Sequence, residues 1–357
     1  MSDRREAPEG AASEAAARPV AVALIGAGAI GGFHGESLAR RVPGTRLAAV
    51  VDPAPGAAER LAARLGAPVA GTDPAPVLAD PDLEAVLVAA PARAHTDLVV
   101  KSAQAGKAVF VEKPMALTLA DADRAITACR EAGVVLQVGF NRRFDRGWED
   151  ARALVDAGAL GTPHLLRSLT RDPATGATDP PHPPAWTIFF ETLIHDIDAL
   201  RYLNPGATVT SVHAIADALV WPAGKADGLL DTAVVTVRFD NGAIGTAEAS
   251  FSAAYGYDVR GEVFGPGGMA SMGDIRRSSM TFSGAAGRTQ ETQRRNTDLF
   301  HEAYVAQLAH FAACVRTGAE PRATGGDARA ALAVALACIR SVEQGRPVAP
   351  VEHPGEG

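Results

Sequence analysis

The chain has 357 residues, 47% hydrophobic and 21% charged, enough for two domains with separate cores. Its net charge of −7 offers no basic stripe for nucleic acid, and no unbroken apolar run reaches the ~20 residues of a membrane span. Its three cysteines, Cys129, Cys314 and Cys338, form no pair at metal spacing and leave one over in any disulfide scheme, which fits a reduced cytoplasmic protein with no metal site.

Residues 1–18 are rich in Ala, Glu, Arg and Gly and lack the apolar stretch of a secretion signal, so a disordered leader is expected there. A strand over 21–25 then runs into Gly26-Ala27-Gly28-Ala29-Ile30-Gly31, a helical stretch follows, and a second strand over 47–51 ends at Asp52. Glycines at this spacing are a weak signal alone. Between a strand and a helix, with an acid closing the next strand, they form a dinucleotide-binding fingerprint. Gly26 allows the tight turn, Gly28 lets the backbone approach a pyrophosphate, and Gly31 lets helix and strand pack closely. The helix opening at Ala29 and Ile30 then stabilises the phosphate charge. A carboxylate at Asp52 accepts hydrogen bonds from ribose hydroxyls and repels a 2′-phosphate. Residues Pro53-Ala54-Pro55-Gly56 bring no cation to reverse that, so the pattern reads NAD.

The alternation continues with a helix over 57–65, a strand over 85–89, a helix over 94–104 and a strand over 108–111. A helix over 119–131 and a strand over 134–138 close a doubly wound α/β domain on a parallel sheet, spanning 19–141. Ligands in such sheets bind at the carboxyl ends of strands. Ala90, Pro91 and His95 follow one strand end and Glu112-Lys113-Pro114 another, so Lys113 is expected to face the nicotinamide. Proline disfavours a helical conformation at the residue before it, which holds Lys113 at the end of its strand.

From 142 to 350 the pattern changes. A helix over 148–157 and a strand over 164–170 precede a Pro-rich stretch and then WTIFFETLIHDIDALRYLNPG. Leu193, Ile194, Ile197, Leu200 and Leu203 make an apolar helical face, and Glu191, His195 and Asp198 a polar stripe in which Glu191 could orient His195. Strands over 208–216, 232–239, 243–251 and 257–264, with a hairpin signal at Asp240-Asn241-Gly242, predict an α+β domain on a mostly antiparallel, open-faced sheet. Helices over 298–317 and 326–343 end the chain.

From residue 19 to about 350 the chain resembles the Gfo/Idh/MocA oxidoreductases, and within them the inositol 2-dehydrogenases. The resemblance rests on the glycine fingerprint, EKP at 112–114, RRFD at 142–145, HDxD at 195–198 and YGYD at 255–258. It implies that Lys113 contacts substrate and cofactor and that His195 is the acid/base. It also places Arg142, Asp172, Tyr255 and Tyr257 around the substrate and implies a tetramer built through the open sheets. Two positions depart from the inositol pattern: Glu191 replaces an Asp, and Thr170-Arg171-Asp172-Pro173 replaces HRNP. The expected reaction is NAD-dependent oxidation of an uncharged cyclic polyol, with myo-inositol first. Alternatives are scyllo-inositol, a pyranose or anhydrosugar such as glucose or levoglucosan, a glycosidase using NAD transiently, and a non-catalytic NAD-binding regulator.

Overall fold

The structure, a computed structural model, describes residues 18–173 and 184–351; the expected leader and most of the Pro-rich stretch lie outside those residues. Six strands form the first sheet: β1 (Val20–Ile25), β2 (Thr45–Val51), β3 (Val69–Gly71), β4 (Ala85–Val88), β5 (Ala108–Val111) and β6 (Leu136–Val138). Their order is β3-β2-β1-β4-β5-β6, every neighbour parallel. The helices between them are α1 (Ala29–Arg40), α2 (Ala57–Leu65), α3 (Ala75–Leu78), α4 (His95–Gln104) and α5 (Leu119–Ala132).

Strand β1 is buried on both sides because its small and branched residues serve two cores. Val22 and Leu24 pack with Leu38 of α1 and Leu61 of α2, whereas Ala21, Ala23 and Ile25 share the opposite core with Val99 of α4 and Ala122 of α5. Strand order reverses between β1 and β4, and a crevice opens beyond their carboxyl ends. Sequence patterning missed β3 and α3. Both are short, and Val69 and Ala70 of β3 are exposed, so neither carries an apolar period.

The second sheet has the order β12-β11-β7-β10-β9-β8, built from β7 (Leu165–Pro173), β8 (Val209–Asp217), β9 (Thr232–Phe239), β10 (Ile244–Ala253), β11 (Asp258–Gly265) and β12 (Gly268–Met272). Only the β10–β7 pairing is parallel. The expected hairpin joins β9 to β10, with Gly242 at φ 89°. On the covered face lie α6 (Arg146–Asp156), α7 (Ile194–Tyr202) and, after the short α8 (Asn296–Leu299) and α9 (His301–Thr317), the long α10 (Gly325–Gln344). The other face exposes Leu165, Ile215, Val234 and Ile244. Helix α9 turns back to the first sheet, where Leu308, Phe311 and Ala312 join the core around Phe110.

One expectation fails locally. The stretch before α7 is not α-helical: Ile188–Leu193 winds as a wider π-helical turn. Glu191 and His195 therefore do not share one face of a continuous α-helix.

Trp148 of α6 is fully buried against β11, and a Cβ on Gly261 would overlap its ring. Gly261→Ala should cost about 1–3 kcal/mol by overpacking. Urea denaturation followed by tryptophan fluorescence measures this, and an unchanged midpoint would show that the ring has room.

Candidate active site

The glycine loop follows β1 into the crevice. Gly26 has φ +107°, and a Cβ there would run into the Ala89 carbonyl; one on Gly31 would strike the Gly26 carbonyl. A Cβ on Gly28 would meet nothing within 4 Å, so the backbone there faces open space. The first backbone bond of α1 runs from the Gly32 N–H to the Gly28 carbonyl, which leaves the amides of Ala29, Ile30 and Gly31 free for an anion. Asp52 lies at the end of β2, accepting the Ala27 N–H at 2.7 Å and the Ala54 N–H at 2.9 Å. Each carboxylate oxygen keeps a further lone pair for a ribose hydroxyl. A groove of about 890 Å³ runs along this loop. The loop, the free amides and the acid together suit a dinucleotide.

A cavity of about 350 Å³ adjoins the groove, and Ile30, Asp172, Tyr257 and Asn296 line both. Ala90, Pro91, Lys113, Arg142, Glu191 and His195 also line the cavity. Lys113 follows β5, and its peptide bond to Pro114 is cis. Its Nζ donates to Glu191 Oε2 at 2.5 Å and to the Glu191 carbonyl at 3.0 Å. The expected Glu191–His195 contact is therefore replaced: the π-helical turn and the longer side chain carry the carboxylate to Lys113.

His195 is half-buried at the cavity wall, its ring edge-on to Phe140 with centroids 6.1 Å apart. Its Nδ1 is buried and has no partner among the described residues. Burial, with the charges of Lys113 and Arg142, holds its pKa well below the ordinary 6.5. The imidazole is a neutral base facing the cavity.

Arg142 is buried and clamped rather than free. Its guanidinium donates to Asp196 Oδ1 at 2.6 Å, to Ser168 at 2.9 Å and to Thr170. Thr170 in turn donates to Asp196 Oδ2 at 2.9 Å. Thr170 thus completes the clamp on Arg142 while still lining the cavity. Asp172 accepts a hydrogen bond from Tyr257, yet its Oδ1 is buried without a partner among the described residues. Burial raises its pKa, an effect that Tyr257 and Lys113 oppose.

Of the other expected site residues, Tyr255 lies off the cavity, while Glu112 and His95 line it with their polar atoms also bonded to the protein. Tyr255 is 43% exposed, and its hydroxyl donates to Asp258 at 2.6 Å; it does not line the cavity. Gly256 between Tyr255 and Tyr257, at φ +125° in the turn after β10, breaks the two-residue repeat that would put both rings on one side. Glu112 turns inward, 2.7 Å from His34 Nε2. His95 holds the loops together, with its nitrogens 2.8 Å from the Pro114 carbonyl and 2.7 Å from that of Ala90. Sequence reading missed Asp196, Ser168, Tyr304 and His34. Asp196 carried a usable signal, because an acid beside His195 on a helix this apolar needs a buried cation.

Residues 20–140 match the family described as "Oxidoreductase family, NAD-binding Rossmann fold", and residues 148–271 match the GFO/IDH/MocA C-terminal domain. The chain belongs to the Gfo/Idh/MocA oxidoreductases. Within this family it is 40% identical to the scyllo-inositol 2-dehydrogenase (NAD(+)) of Bacillus subtilis, over 92% of this chain and 96% of that one. It is 37% identical to the myo-inositol 2-dehydrogenase of Thermotoga maritima, over 92% and 97%. The crystal structure of scyllo-inositol dehydrogenase from Lactobacillus casei with bound NAD(H) and scyllo-inositol superposes with a TM-score of 0.87 at 25% identity, covering 93% of this chain and 99% of that one. The family resemblance and the two-sheet architecture expected from sequence are both borne out, as is the NAD-binding fold.

Two measurements follow from this geometry. Asp52→Ser combined with Pro53→Arg should raise NADP use relative to NAD; a wild-type protein that already prefers NADP would refute the role of Asp52. The ring protons of His195 should show no NMR titration as pH falls through 6.5, because its folded pKa is depressed. The unfolded chain binds that proton first, so this residue stabilises the fold above pH 6.5 and costs stability as pH falls below it. A titration centred at 6.5 would contradict the burial.

Proposed function

We propose that the protein is an NAD-dependent inositol 2-dehydrogenase, with myo-inositol as first substrate and 2-keto-myo-inositol (scyllo-inosose) as product. One observation carries this reading: a cation, a neutral imidazole and an unpartnered carboxylate oxygen converge on a cavity that opens onto the glycine groove. NAD, when bound, accepts the hydride from the carbon being oxidised.

The chain's own residues supply the rest. His195 takes the hydroxyl proton, since its imidazole is neutral at physiological pH. The Lys113 ammonium stabilises the negative charge that develops on the same oxygen. Glu191, 2.5 Å from that ammonium, aims it and offers an acceptor to a neighbouring hydroxyl. Asp172 Oδ1 and the Tyr257 hydroxyl read hydroxyls further round the ring. The cavity's cations, Lys113 and Arg142, are already paired with Glu191 and Asp196, which disfavours a phosphorylated substrate.

The 40% identical relative supports a second substrate, scyllo-inositol. The two inositols differ only in configuration at C2, so oxidation there yields the same ketone. Asp172 with Thr170 in place of the more common Asn and His leaves the choice to this chain's own pocket. Purified protein with NAD should form NADH from one inositol far faster than from any pyranose, because unpaired buried polar groups penalise a substrate lacking the matching hydroxyl. Turnover of glucose or levoglucosan without inositol would overturn the substrate and keep the family.

The protein is further read as a cytoplasmic homotetramer. Its three cysteines are free and buried, and among the described residues no helix is long and apolar enough to cross a membrane. Leu165, Ile215, Val234 and Ile244 on the open sheet, with Phe264 and Met269 nearer its edge, make an apolar face that a second sheet would cover. Light scattering at micromolar concentration should give the tetramer mass, and a monomer would exclude this use of the face.

A further inference from the structure

Beneath Lys113 lies a buried pair that the mechanism does not use. His34 stands on α1, one turn past the start of the helix, and is fully enclosed. Its Nε2 is 2.7 Å from Glu112 Oε1, and the other carboxyl oxygen accepts the Lys113 backbone N–H at 3.2 Å. Burial would raise the Glu112 pKa, but the hydrogen bond and charge of His34, with the charge of Lys113, outweigh it and leave the pKa lowered. An ionised carboxylate only accepts, so His34 donates. Gly139 leaves room for this group: a Cβ there would fall 2.8–3.0 Å from the carboxyl atoms. The rings of Phe110 and Tyr304 stand edge-on to His34, with centroids 5.7 and 5.6 Å away. Tyr304 comes from α9 and lines the cavity.

Two apolar side chains would pack α1 on β5 without the cost of burying a charge. What they would lose is the polar link from the helix of the cofactor loop to the backbone of Lys113.

We propose that His34 is a positioning residue: through Glu112 it fixes the Lys113 backbone relative to α1, and with it the spacing between ammonium, substrate and nicotinamide. The inference rests on the dehydrogenase reading above. Misplacement of a reacting group by about 1 Å can cost on the order of a hundredfold in rate, so the effect should fall on kcat.

The test uses the full chain with His34→Leu, which removes the donor, and His34→Gln, which keeps one. Substrate is supplied with hydrogen or deuterium at the oxidised carbon. His34→Leu should lose about ten- to a hundredfold in kcat, with NAD affinity and KM within about threefold and a larger deuterium isotope effect. His34→Gln should regain most of the rate. Wild-type kcat in His34→Leu, an equal loss in His34→Gln, or a loss of NAD affinity parallel to kcat would overturn the proposal. If His34→Leu does not fold, Glu112→Ala removes the carboxylate that carries the same link and must give the same split. A wild type that forms no NADH from any polyol refutes the dehydrogenase reading alone. The positioning claim is then read from the rate at which trinitrobenzenesulfonate modifies Lys113, and a rate equal in wild type and His34→Leu overturns it.

Discussion

Two consecutive buried ion pairs join the halves of this molecule, and the site is arranged around them. As the chain leaves β6, Arg142 and Arg143 occupy a tight turn; Asp196 and Asp198 of α7 meet them, each at 2.6 Å. All four side chains are buried. Removing one member of such a pair costs roughly 3–5 kcal/mol, because a charge is left unpaired in a low-dielectric interior. An apolar replacement could pack as tightly, but it could slide. Bidentate contact from Arg143 to Asp198, with a third contact to Asp327 of α10, permits one register of α7 against the first sheet. His195 precedes this pair of acids, so their register is what aims its ring at Lys113.

The same pairs shape the electrostatics of the cavity. Arg142 is held close to His195, and its positive charge helps keep the imidazole neutral. Asp196 absorbs most of that guanidinium's hydrogen-bonding capacity through Ser168 and Thr170. The result is a cavity with a strong local field and few free charges, suited to a neutral, many-hydroxyl ring. Glu191 offsets Lys113 in the same way at the mouth, where its side chain is 44% exposed.

The two sheets depend on each other for cover. Helix α9 belongs to the later part of the chain yet fills the core beside Phe110, and Tyr304 on it reaches the cavity. Phe33 and Tyr304 pack edge-on, with centroids 5.4 Å apart, so cofactor helix and C-terminal helix share one aromatic contact. The glycine-loop groove and the adjoining cavity therefore form one space.

The nucleotide half was legible because its information is local. Glycine spacing, an acid at a strand end and runs such as Ala-Val-Phe-Val each act within a few residues, and backbone sterics alone turn them into loop and strand. Lys113 and His195 were legible as residue types in a recognisable order. Their partners were not. Glu191 bonds across 78 positions to Lys113, and Arg142 across 54 to Asp196. A π-helical turn of Ile188–Leu193 replaced the expected α-helical face, so the spacing of Glu191 and His195 misled. Tyr255 and Tyr257 look alike in sequence, but the turn between β10 and β11, with Gly256 at φ +125°, leaves one to solvent and puts the other at the cavity. Hydrophobic period and turn chemistry determine which elements form; which buried charge meets which is decided only when those elements pack and water is excluded between them.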